Sequence, residues 1–73
     1  MEGTETPLEM SARHVREGEE RLGRQQALID RLALAGPSDL LTKARDIFAQ
    51  MLQFQVTAIA HYQRELVKQQ KAI

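Results

Sequence analysis

Two histidines are the residues of this chain best suited to binding chemistry. His14 and His61 each have a carboxylate within about one helical turn, Glu17 three residues after the first and Glu65 four after the second. Two imidazoles and two carboxylates converging between helices would suit a divalent metal. The direction of Glu17 counts against that use, because on a helical wheel it points away from the apolar side. The Glu-x-x-His spacing of di-iron bundles is also absent, with Ser11 and Ala58 standing three residues before the histidines. Boundary histidines in ordinary polar contacts are the simpler reading. No metal or other cofactor is therefore expected, and His14, His61, Glu17 and Glu65 are the residues on which to test it.

Covalent catalysis has little to work with. The chain contains no cysteine, Ser11 and Ser38 suit helix and cap positions, and no glycine-rich loop follows a strand. Two helices do not enclose a cleft in which paired carboxylates could act. An enzyme is not expected. A nucleic-acid-binding regulator of the helical-hairpin dimer type would need a basic face, for which Arg13, Arg16, Arg21, Arg24 and Arg31 are the candidates. Glu17, Glu19, Glu20 and Asp30 interleave with them, and the formal net charge is zero. Both facts disfavour nucleic acid as a partner.

The elements that position these side chains are two helices. Thr6-Pro7-Leu8-Glu9 reads as a helix start, with Thr6 as cap, Pro7 at the first helical position and Glu9 closing a capping box. Leu8, Val15, Leu22 and Ile29 then recur every seven residues, with Ser11, Gly18, Gln25 and Leu32 as their companions. Gly36 and Pro37 end this helix, and Ser38 or Asp39 caps the next. The expectation is an all-α antiparallel hairpin: a helix over about 7–35, a turn at 36–38 and a helix over about 39–70. Residues 1–5 should be disordered and 6–71 should form one domain, with the last few residues frayed.

A short turn sets the register. Residues whose numbers add to about 75 should lie opposite one another. Leu22 would then meet Leu52, Val15 Ile59, Ile29 Ile47 and Leu8 Val67, with Gly18 beside Phe54 to Val56 and Gly23 beside Met51 and Leu52. The apolar arc of the second helix is wider than one partner helix covers. Either Phe54, Met51 and Ile47, or Leu52, Ile59 and Leu66, should remain as an exposed stripe and serve as an interface. A homodimer forming a four-helix bundle, or a larger protein partner, would cover it. Gln25, Gln26, Gln53 and Gln55 in the middle of both helices would fix register rather than bind a ligand.

Composition bounds the rest. At 73 residues the core must be thin, and the absence of cysteine excludes disulfides. No apolar run approaches a membrane span, and the acidic start is unlike a signal peptide, so a cytoplasmic protein without membrane association is expected.

The segment from His14 to Leu32, closing at Gly36, resembles a pattern found in small proteins of rhizobial-type alphaproteobacteria. That pattern is H-V-x-x-G-E-x-x-[IVL]-x-x-Q-x-x-L-I-x-x-L-x-x-x-G. Ala44-Arg45-Asp46-Ile47-Phe48 and His61-Tyr62-Gln63-Arg64-Glu65-Leu66 are similar to the second helix of those proteins. The resemblance implies a helical hairpin and no particular activity, and it carries over no catalytic or binding residue.

Overall fold

The computed structural model describes residues 4–71; Met1 to Gly3 of the segment expected to be disordered, and the final Ala72 and Ile73, lie outside the described residues. Two helices, α1 (Pro7–Leu34) and α2 (Asp39–Lys71), pack against each other as a hairpin. Their ends follow local chemistry. Thr6 Oγ1 accepts from the Glu9 amide at 3.0 Å, and Glu9 Oε1 accepts from the Thr6 amide at 3.0 Å. This reciprocal pair satisfies donors that the first helical turn leaves open. At the other end the Ala35 and Gly36 amides donate to Leu32 O and Ala33 O, each at 3.1 Å. Gly36 then takes φ +96°, a conformation that side chains disfavour, and the chain reverses. Of the two cap candidates for α2 it is Ser38 that serves, its Oγ accepting from the Leu41 amide at 3.1 Å. Asp39 follows in the first turn, where a carboxylate suits the positive end of the helix.

The seam between the helices departs from the expected layers. Gly18 faces the Gln55 amide, within the Phe54 to Val56 stretch expected beside it, but the expected aliphatic layers do not form. The α1 side of the seam is the heptad row Leu8, Val15, Leu22 and Ile29 with Ser11, Gly18, Gln25 and Leu32, all buried or half-buried. The α2 side is Leu41, Ala44, Phe48, Met51, Gln55, Ala58, Tyr62 and Glu65, likewise covered. Leu52, Ile59, Ile47 and Val67, the expected partners of Leu22, Val15, Ile29 and Leu8, are instead exposed.

The physical reason is size. In this register Ser11 comes level with Tyr62, Val15 with Ala58, Gly18 with Gln55 and Ile29 with Ala44. A small residue opposes a larger one in each, so the side chains interdigitate without spreading the helices. Ser11, only 1% exposed, donates its hydroxyl to Leu8 O at 2.9 Å and so needs no outside partner. Gly23 is also corrected. A Cβ there would meet nothing within 4 Å, so no packing against Met51 or Leu52 accounts for it.

Two glutamines cross the seam in opposite directions. Gln25 Nε2 donates to Ala44 O at 2.8 Å, and Gln55 Nε2 donates to Val15 O at 2.9 Å. Each amide reaches the backbone of the other helix, so a slip of either helix breaks both bonds. The apolar cluster proper is confined to the turn end: Ile29, Leu41 and Ala44 are buried, with Leu28, Leu32 and Phe48 against them.

Candidate functional site

Each broad side of the hairpin presents different chemistry. Positions that follow one another by seven along a helix share a face, and in an antiparallel pair the flanking rows of the two helices meet on the same side of the seam. On one side, His14, Arg21, Met51 and Phe54 line a shallow depression of about 120 Å³ whose floor is Gly18, Gln55 and Ala58. Arg24, Leu28 and Arg31 continue that side along α1. Leu40 and Ile47 stand in the same row of α2 as Phe54. The opposite side carries Leu52, Ile59 and Leu66 in one row of α2, with Val56 beside them. Its α1 half consists of Ala12, Glu19, Gln26 and Ala33, with Gly23 next to them.

The six residues expected to form an interface are thus divided. Ile47 and Phe54 lie on the first side, Leu52, Ile59 and Leu66 on the second, and Met51 belongs to the seam. Phe54, at 73% exposure, protrudes furthest.

The histidines share the first side but are not brought into a common donor set. His14 is exposed beside Arg21, and the Glu17 carboxylate turns outward to Arg13 at 3.2 Å. Glu65 is largely covered and has Lys68 Nζ at 3.2 Å and His61 Nε2 at 4.0 Å. Among the described residues no three His, Cys, Asp or Glu side chains come close enough to hold a metal ion. A lysine on the Glu65 carboxylate also competes with any cation there.

The charged groups on α1 pair with one another. Arg13 bridges Glu5 Oε2 at 2.9 Å and Glu17 Oε2 at 3.2 Å. The hydrogen bond from Arg13 holds the Glu5 carboxyl below its usual range, and the same two carboxylates raise Arg13. All of this lies in solvent and ties the segment before α1 to the helix. The Ser11 hydroxyl donates to Leu8 O, and the Ser38 oxygen accepts the α2 cap bond.

Sequence reasoning missed the segregation of charge between the two sides. Arg21, Arg24 and Arg31 of α1 share the first side with Lys43, Arg64, Lys68 and Lys71 of α2, so most of the ten basic residues lie there. Among the described residues only Glu17 and Glu65 oppose them on that side, and both are already paired. The second side is mixed, with Glu9, Glu19 and Asp30 against Arg16 and Arg45. The signal was present in the seven-residue spacing, but it appears only once the seam is known.

Comparison with protein-family models, with curated proteins and with solved structures finds no match to this chain.

Proposed function

We propose that this chain is a non-enzymatic interaction module that pairs with a second copy through the Leu52–Ile59–Leu66 side, giving a four-helix bundle. The observation that carries this reading is surplus surface. A compact monomer of 8.3 kDa exposes about 4,600 Å² by surface-to-mass scaling, whereas the hairpin exposes 5728 Å². Its radius of gyration is 16.6 Å, against about 11 Å for a compact chain of this length. The difference in area exceeds the roughly 800 Å² that each partner contributes to a standard interface.

Charge chooses the side. Bringing two copies together through the basic side would set arginines and lysines against their own kind. The Leu52 side carries both signs, so a two-fold axis can bring Glu19 or Asp30 of one copy toward Arg16 or Arg45 of the other. The small side chains of Ala12, Gly23 and Ala33 leave the approach unobstructed. Burying Leu52, Ile59 and Val56 against their symmetry mates stabilises by about 1.5–3 kcal/mol for each side chain fully covered.

Sedimentation equilibrium at micromolar concentration should return the mass of two chains. Leu52→Glu with Ile59→Glu should return one chain, and Phe54→Glu on the other side should leave the mass at two. A single-chain mass for the unaltered protein, accompanied by a cooperative melt, would overturn the proposal.

A further inference from the structure

The basic side has no counterpart in the pairing just proposed, and it is shaped differently from a solvated charge surface. Toward the turn end its crest, the rows standing highest above the seam, is apolar, with Leu40, Ile47 and Phe54 on α2 and Leu28 across from them on α1. The same rows continue into His61 and Lys68 on α2 and into Arg21 and His14 on α1. Phe54, Leu40 and Ile47 are all exposed. The charges flank this crest on both shoulders, Arg24 and Arg31 on α1, Lys43 and Arg64 on α2, with Arg21 beside Phe54. The molecule is a slab of 55 × 26 × 13 Å, so the broad face offering this pattern is long and shallow.

We infer that this face docks on an anionic lipid surface. Hydrocarbon in the centre with long cationic side chains at the rim suits a headgroup layer, because the apolar crest enters the acyl boundary while the stems of Arg and Lys reach back to phosphate. Among the described residues no helix is long and apolar enough to cross a membrane, and the association inferred is peripheral. It differs from the sequence expectation of no membrane association, which considered spanning segments and not the register. A nucleic-acid backbone fits the face less well. Its phosphates would meet Leu40, Ile47 and Phe54 first, and a single aromatic offers little for base stacking. The inference does not rest on the dimer, because a single hairpin carries the whole face.

The test is co-sedimentation of the full chain with vesicles of phosphatidylcholine, and with vesicles of equal parts phosphatidylcholine and phosphatidylserine. Binding should be confined to the anionic vesicles and weaken as salt is raised. Arg24→Gln with Arg31→Gln should lower partitioning by about tenfold or more. Phe54→Ser should lower it by about threefold to tenfold while circular dichroism stays unchanged, since this side chain is exposed. Leu52→Glu with Ile59→Glu lies on the opposite side and should leave partitioning per chain nearly unaltered. Equal binding to both vesicle types, no binding to either, or binding that survives both basic-face variants would overturn the inference. So would retention of a labelled RNA or DNA duplex in preference to anionic vesicles.

Discussion

Two glycines in one helix behave oppositely at the level of single residues. Each lowers helix propensity by roughly 1 kcal/mol relative to alanine. At Gly18 that loss has a structural return, because an added methyl would collide with Gln55 Oε1 and Cδ in the seam. Gln55 is 8% exposed and donates to Val15 O, so it has little room to step aside without breaking that bond. Losing the bond and leaving a buried amide unpaired costs about 1–3 kcal/mol, which outweighs the gain in propensity. Gly18→Ala should therefore lower the thermal midpoint, and Gly18→Ala combined with Gln55→Ala should recover part of the loss. Gly23→Ala meets open space and should raise stability by about 1 kcal/mol in a denaturant titration. A lower stability for Gly23→Ala would show that a large side chain of another molecule packs on that glycine.

At the level of the helices, the ends were legible and the facing was not. Thr6, Pro7 and Glu9 at one end, and Gly36 and Ser38 at the turn, act through bonds reaching only three or four residues, so their types and spacing suffice to read them. Register depends on which side chains leave the helices closest together, and that is a property of the pair. The α1 heptad row was visible, yet its Ser11, Gly18 and Gln25 looked like weaknesses in an apolar stripe. In the hairpin they are the small and hydrogen-bonding positions that let α2 approach. On α2, Ile47, Leu52, Ile59 and Val67 were read as seam partners of α1, the first three also as candidates for an exposed stripe, and all four are exposed. Adjacent leucines separate the two readings. Leu41 is buried beside Ile29 and Ala44, while Leu40 is exposed. Leu41→Ala should cost about 2–5 kcal/mol, enough to unfold so thin a hairpin. Leu40→Ala should change stability by about 0.5 kcal/mol or less, with thermal melts followed by circular dichroism as the measurement.

For the whole molecule, a formal net charge of zero conceals a polar arrangement: one broad side is basic, with only Glu17 and Glu65 among the described acidic residues on it. The other described acidic residues lie on the opposite side and along the outer edges. Net charge is a sum over faces, so nothing in composition could reveal it, whereas the heptad rows do once the seam is known. The candidate site was legible only as a surplus of apolar residues on α2, and its division into two surfaces came from the packing. Pairing through the Leu52 sides leaves the two basic sides facing outward in opposite directions. One dimer could then rest on only one bilayer with a given face, so pairing adds no avidity on a single surface. It would instead bridge two surfaces. The unaltered protein should therefore raise the turbidity of anionic vesicles in suspension. Leu52→Glu with Ile59→Glu should bind the same vesicles without clustering them, and Arg24→Gln with Arg31→Gln should do neither. Clustering that persists in the Leu52→Glu, Ile59→Glu protein would mean that the second lipid contact comes from the same chain, and the opposed-face arrangement would be wrong.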